Sequence, residues 1–420
     1  MEQNKLFTLA LGLVAPWKIV SVEFDASKKR LDILIDFSPG SKFPLGGDAS
    51  DQTAYAAYDT QWKQWRHLDF FQHECYLKAR IPRVKLSNGS VKSITPPWAG
   101  RERGFTLLFE ALLLQLLKCM PFKQVEKLCR VSDDKLWSLA HRYVEDARES
   151  NEMSGVTVLG VDETSIKKGH EYVTIFVDVQ KSQALYVTPG KGSDTFDRFH
   201  EELLAHGGDA AQISTITMDM SPAFIKGSKD VFTRAQKVFD KFHIIKLFNS
   251  AIDKVRRLEQ GHLNKEGRKF LKNSRWIFLK NRKNLTEKQR ISLASIEMQA
   301  SYLKTYKMLR MRESLQEAYN QSVSAQDFET KLKGLRQWLL KSRIEPAIEL
   351  GWMMKEHWEG IICWYTLRYS NAILEGINSL VKAAAAKARG YRTFKNYATI
   401  IYLIAGKLDF NSLNPNVSLT

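Results

Sequence analysis

Val156-Thr157-Val158-Leu159-Gly160-Val161-Asp162 is an apolar, strand-like run closed by a carboxylate, and Ile213-Ser214-Thr215-Ile216-Thr217-Met218-Asp219 repeats the arrangement further on. Around them the pattern predicts strands at Val156 to Val161, Tyr172 to Val179 and Ala184 to Val187. A helix Thr195 to His206, a strand Ile213 to Met218, a helix Pro222 to Thr233 and a strand Lys237 to Phe239 follow. Three sequential short strands and then alternating helix and strand describe a mixed α/β sheet. Strand ends of α/β sheets are where sites gather, so the two aspartates can share one metal if their strands are neighbours.

A third carboxylate, Glu375, follows on the helical stretch Ser370-Asn371-Ala372-Ile373-Leu374-Glu375-Gly376-Ile377-Asn378. At helical spacing Asn371, Glu375, Asn378 and Lys382 share one face, while Ile373, Leu374, Ile377, Leu380 and Val381 lie mostly on the other. Phosphodiester cleavage and transfer need an activated oxygen nucleophile and a stabilised leaving oxygen, which two Mg²⁺ ions roughly 3.5 to 4 Å apart supply. Mg²⁺ takes hard oxygen ligands, so Asp162, Asp219 and Glu375 are the candidate catalytic and metal-holding residues, with Mn²⁺ as an alternative ion. Each alone has a plainer reading, a strand-end Asp as a cap and a surface Glu as solvated; the set carries the chemistry.

Lys and Arg number 63 against 46 Asp and Glu in 420 residues, a formal net charge of +17 with a sequence pI near 9.5. That balance points to a polyanion, double-stranded DNA first, and the termini carry no lipidation motif that would favour a membrane. Cys75, Cys119, Cys129 and Cys363 lack paired close spacing, which argues against a disulfide framework and a cysteine zinc site and fits a reducing, cytoplasmic and nucleoid-associated setting. The apolar stretch Leu6 to Ala15 has the length of a short secretory segment, but Pro16-Trp17 stands where a small-residue cleavage site would be.

Upstream of the α/β pattern, Lys18 to Phe24, Arg30 to Asp36 and two strands within Trp62 to Arg83 predict a small β module over residues 1–100. Helices Phe105 to Lys118, Phe122 to Cys129 and Asp133 to Arg148 follow over 101–150, the last two joined by Cys129-Arg130-Val131-Ser132. This spacing suggests a helix-turn-helix with Lys135, Ser138, His141 and Arg142 as a DNA-reading face, or else an ordinary helical bundle. Residues 252–345 hold 22 Lys and Arg against 10 Asp and Glu, so this helical stretch either lies along DNA or presents a solvated face.

Four runs resemble the catalytic blocks of bacterial DDE transposases, in particular the ISL3 group: Leu159 to Thr164, Thr217 to Ala223, Phe239 to Lys246 and Ser370 to Asn378. Arg66 to Phe71, Phe105 to Ala111 and Gly390 to Phe394 extend the likeness over most of the chain. The resemblance implies an RNase H-like core over 151–246 with Asp162, Asp219 and Glu375 as ligands. It also implies a basic all-helical insertion over 247–365, a glutamate helix with the rest of the core over 366–420, and terminal inverted-repeat DNA as substrate. Asp240 and His243 match a further family block; His243 either touches the scissile phosphate or is a packed histidine. Lys246, Lys382, Arg389 and Arg392 are candidate phosphate contacts, and Trp338 either stacks on an unpaired base or is a core residue.

The chain departs from this group at its start. Phe43 to Asp48 and Val84 to Gly89 contain none of the cysteine pairs of a zinc ribbon, so no zinc is expected and the module must rely on its own packing. The expected activity is Mg²⁺-dependent cleavage of transposon ends and their transfer to target DNA by at least a homodimer. The rival readings are a non-catalytic repressor derived from a transposase and an RNase H-like nuclease without joining activity.

Overall fold

The computed structural model describes residues 2–44, 54–166, 171–369 and 372–419. The chain divides into two units, Met1–Asn151 with Val381–Thr420, and Glu152–Leu380. Among the described residues no helix is long and apolar enough to cross a membrane.

The first unit opens with α1 (Glu2–Ala10), β1 (Trp17–Asp25), β2 (Arg30–Phe37), β3 (Lys42–Pro44), β4 (Ala54–Ala56), β5 (Asp59–Phe70), β6 (His73–Lys85) and β7 (Val91–Ser93). One sheet runs β1-β2-β6-β5, with β7 on β6. Period-two burial explains it: Leu31, Ile33, Ile35 and Phe37 of β2 and Cys75, Leu77, Ala79 and Ile81 of β6 face one core. The segment with secretory-like hydropathy is a helix and its exit, whose Phe7, Leu11 and Leu13 pack on that core.

The module has an aromatic core of its own. Aromatic side chains fill its centre, with Trp17 5.0 Å from Trp98, 5.6 Å from Phe43 and 5.9 Å from Phe37 between ring centroids. Cys75 is buried, which pushes its thiol up to about 12. His67 stands opposite Cys75 across the β5–β6 pairing, but its Nδ1 is 2.9 Å from Thr106 Oγ1. Residues 45–48, part of one turn compared with a zinc ribbon above, lie outside the described residues.

Burial, reinforced by Arg66, lowers the pKa of His67 to about 4. The unfolded chain protonates this imidazole near pH 6.5, so its contribution is complete above that pH and is lost as pH falls towards 4. His67→Gln is therefore expected to narrow the drop in urea midpoint between pH 7 and pH 4.5, an effect on the order of 2 kcal/mol. An unchanged drop would show that other groups govern acid unfolding.

Helices α2 (Leu107–Cys119), α3 (Phe122–Cys129) and α4 (Asp133–Glu149) follow, close to the predicted bounds. Thr106 caps α2 by accepting from Phe109 N at 3.3 Å, and Arg130 ends α3 in the left-handed region at φ 53°. Buried Glu110 gathers α2 and α4 by accepting from Tyr143 Oη at 2.6 Å and from the amides of Arg101 and Glu102.

The second unit carries β8 (Val158–Ser165), β9 (Tyr172–Asp178), β10 (Gln183–Pro189), α5 (Asp194–Ala205), β11 (Thr215–Met218), α6 (Pro222–Val231) and β12 (Gln236–Phe239). Its sheet is mixed, ordered β10-β9-β8-β11-β12. β8, β9 and β10 pair antiparallel, whereas β11 is parallel to both β8 and β12. Each β-to-α switch buries a new apolar face: Phe176 of β9 stacks on Phe199 of α5 at 4.4 Å, and Phe196 meets Phe224 of α6 edge-on. β8 continues past Asp162 to Ser165, so this aspartate lies inside its strand opposite Ile175 rather than closing it. The cause is β9, whose pairing extends through Thr164 and Ser165.

All further elements of this unit are helical among the described residues: α7 (Lys241–His262), α8 (Lys265–Leu271), α9 (Arg275–Leu279), α10 (Glu287–Gln299), α11 (Lys304–Gln321), α12 (Ala325–Leu340), α13 (Glu345–Glu356) and α14 (Trp358–Leu367). Buried Arg312 of α11 ties α7 and the end of α9 to its own helix by donating to Asn249 Oδ1 and to the carbonyls of Phe278, Leu279 and Lys280 at 2.9 to 3.0 Å. Then come α15 (Ala372–Ala388), within which the division between units falls, and α16 (Phe394–Ala405). In the first unit α16 lies on α4, joined by Lys395 to Glu145 at 2.7 Å.

Candidate active site

β8 and β11 are adjacent and parallel, with Thr217 opposite Gly160. Asp219 and Asp162 each stand two residues beyond that pair, so parallel register brings both carboxylates to the same level of neighbouring chain segments, which lie about 4.8 Å apart. Asp219 leaves the sheet just before α6, and its Oδ1 accepts from Ser221 N at 2.9 Å. Asp162 Oδ1 accepts from Glu163 N at 2.8 Å, and its Oδ2 accepts from Asn378 Nδ2 at 2.8 Å. Burial pushes the Asp162 carboxyl up to about 6; the Glu163 amide and His243 pull it down, and the negative charge of Asp219 adds to the rise.

The next strand end supplies Asp240, which is fully buried and caps α7 by accepting from Phe242 N at 3.3 Å. Its Oδ2 lies 3.3 Å from His243 Nδ1, an ion-pair contact whose geometry falls short of a hydrogen bond. Asp240 is the chief cause of the raised pKa of His243, and Asp219 and Asp162 contribute through their charges. Asp162, Asp219, Asp240 and His243 thus occupy one electrostatic neighbourhood.

α15 docks its first turns on β8. Leu374 occupies the space over Gly160, where a Cβ would come within 2.7 Å of Leu374 Cδ1. The buried stripe of the helix is Leu374, Ile377, Asn378 and Val381; Glu375 and Lys382 are exposed, and Leu380 is 56% exposed. This corrects the expected faces: Asn378 leaves the polar face because its amide finds Asp162, and Leu380 leaves the apolar one. Asn371 lies outside the described residues. The signal for Asn378 was available, since it sits in the 374-377-378-381 spacing of a packed helical stripe.

Asp162, Asp219 and Glu375 are hard oxygen donors of the kind that holds Mg²⁺ or Mn²⁺, and the Oδ2 of buried Asp240, with no hydrogen bond beyond its ion-pair contact to His243, adds charge to the same neighbourhood. Among the described residues, however, no three acidic, histidine or cysteine side chains stand together as a ready metal cage. Glu375 is beside Asn378 on the helix surface and exposed.

The candidate DNA contacts separate into two kinds. His141 has both ring nitrogens engaged, by Thr399 Oγ1 at 2.8 Å and Asn396 Oδ1 at 3.1 Å, which leaves neither for a base edge in this conformation. Ser138 donates to Glu102 at 2.8 Å, Arg142 donates to the Arg101 carbonyl, and Lys135 lies 5.1 Å above the Phe105 ring. Lys246, Lys382, Arg389 and Arg392 are exposed, and Trp338 is 42% exposed rather than a core residue.

Comparison with known proteins bears on the same segments. A transposase model of the ISL3 type matches residues 159–401, more than half of the chain. The helix-turn-helix domain of transposase family ISL3 matches 94–144, and the zinc-finger of transposase IS204/IS1001/IS1096/IS1165 matches 50–86. The transposase for insertion sequence element IS1001 of Bordetella parapertussis is 26% identical over 80% of this chain and 82% of its own length. That for IS1557 of Mycobacterium tuberculosis is 25% identical over 94% and 93%. A solved simian T-cell lymphotropic virus intasome in complex with PP2A regulatory subunit B56 gamma matches 42% of this chain and 70% of its own at 15% identity, with a TM-score of 0.16, too low to bear on the fold.

Proposed function

The chain belongs to the ISL3 family of DDE transposases, and on that premise we propose that it binds the terminal repeats of its own element, cleaves them, and joins the freed 3′-hydroxyls to target DNA. The observation that carries this reading is the matched register of Asp162 and Asp219 on adjacent parallel strands, with the glutamate helix docked on the first of them. The strand order β10-β9-β8-β11-β12 supports an RNase H-like core over 151–246, interrupted by the helical stretch 247–365 and completed from 366 onward.

Asp162, Asp219 and Glu375 would hold two divalent cations, Mg²⁺ or Mn²⁺, which when bound activate the attacking oxygen and stabilise the leaving one. Asp240 holds His243 towards the carboxylates, where its imidazolium offers a positive charge for the scissile phosphate. Exposed Lys246, Lys382, Arg389, Arg392 and Trp338 are the proposed DNA contacts of the body of the chain. The helix-turn-helix region at 101–150 and the β module at 1–100 recognise the end, and the module does so without zinc. Pairing two ends in one complex requires at least a dimer.

A strand-transfer assay on pre-cleaved ends tests the activity. Wild type is expected to join them to target DNA in Mg²⁺, and Glu375→Gln to join them ~10³-fold less while retaining end binding. End binding without any joining by wild type would favour the repressor, and cutting without joining the nuclease.

A further inference from the structure

Asn378 is the side chain in the site whose burial the family chemistry leaves unexplained. It is 8% exposed, it lies in the packed stripe of α15, and its Nδ2 donates to Asp162 Oδ2 at 2.8 Å. Its own Oδ1 is buried and has no partner. An apolar residue would fit a packed stripe at less cost, yet this position holds an amide whose buried oxygen accepts no hydrogen bond.

The donation has a definite geometric effect. Asp162 Oδ1 is taken by the Glu163 amide and Oδ2 by Asn378, so both carboxylate oxygens are fixed and the plane of the group cannot rotate. Each carboxylate oxygen has two lone pairs, and one hydrogen bond at each leaves one on each oxygen free. The carboxylate is oriented without being blocked. Glu375, three residues earlier on the same helix, moves with Asn378 as one rigid element.

We propose that Asn378 is a positioning residue for the cation site: its Nδ2 orients Asp162 and ties the glutamate helix to β8, so that the carboxylates would hold a divalent cation in one fixed arrangement. This rests on the transposase reading above. It adds beside the candidate ligands a neutral residue that acts only through Asp162 and never touches the metal. Outer partners of this kind change metal affinity by ~10- to 100-fold when removed.

The test is Mn²⁺ binding to full-length protein without DNA, by isothermal titration, alongside melting curves in EDTA. Asn378→Leu keeps the volume and the packed stripe, and Asn378→Ala removes both. Both are expected to weaken Mn²⁺ binding ~10-fold, and Asn378→Leu to melt at or above the wild-type temperature. Wild-type affinity in Asn378→Leu would overturn the inference, as would a loss of affinity that merely tracks a lowered melting temperature in both variants. Asp162→Asn and Asp219→Asn serve as controls: if they too bind Mn²⁺ like wild type, it is the metal-site reading that fails.

Discussion

Asp162→Asn is expected to reduce cleavage of transposon-end DNA by ~10³-fold or more, leave end binding within about twofold, and raise the melting temperature of the metal-free protein above pH 6. On the proposed reading, the first effect follows from losing a carboxylate that would hold the cation which neutralises phosphate charge. The last follows from burial. The folded state holds the Asp162 proton more tightly than the unfolded chain, with a pKa near 6 rather than 3.8. As pH rises through that window the buried carboxylate becomes a cost, which an amide of the same shape does not carry once Asn378 turns its unpaired Oδ1 to accept from the new NH₂. The gain is on the order of 2 kcal/mol. An aspartate kept for structure would behave oppositely, losing stability with the substitution. Retained cleavage, or a lowered melting temperature with cleavage intact, would remove Asp162 from the mechanism.

Gly160→Val is expected to cost ~1–3 kcal/mol and to lower cleavage ~10²-fold without touching any charged group. A Cβ at this position would meet Leu374 Cδ1 at 2.7 Å and Val179 Cγ2 at 3.0 Å, closer than packed side chains come. The helix must then shift away from β8, carrying Glu375 and breaking the bond from Asn378 to Asp162. Leu374→Ala opens the same space from the other side, so the double variant should recover part of the activity that each single variant loses. Strictly additive losses would mean that Gly160 and Leu374 do not act through their contact.

The elements were legible where one periodicity ruled a segment. β2 buries alternate residues over its whole length, and α3 spans Phe122–Cys129, as its helical spacing predicts. Where two partners compete the pattern ran out. Asp162 reads as a strand end because polar residues follow, yet β9 pairs onward and keeps Thr164 buried. His141 reads as a free polar position on α4, but Asn396 and Thr399 arrive from the far end of the chain and occupy it. Trp338 is large and apolar, which predicts burial, and nevertheless leaves 42% of its surface exposed.

From its residues alone, the chain specified a basic protein with a mixed α/β segment, two strand-associated aspartates, a glutamate on a helix, and catalytic blocks in the order of one transposase group. These are properties of local pattern and composition, which a chain carries before it folds. Only the tertiary structure decided that Asp162 and Asp219 share a level on neighbouring strands, that Leu374 seats the glutamate helix on Gly160, and that Asn378 turns inward to Asp162. The physical reason is that each depends on contact between segments far apart in sequence: strand pairing sets register, a missing Cβ sets how closely a helix approaches, and a polar side chain is buried only where a partner meets it.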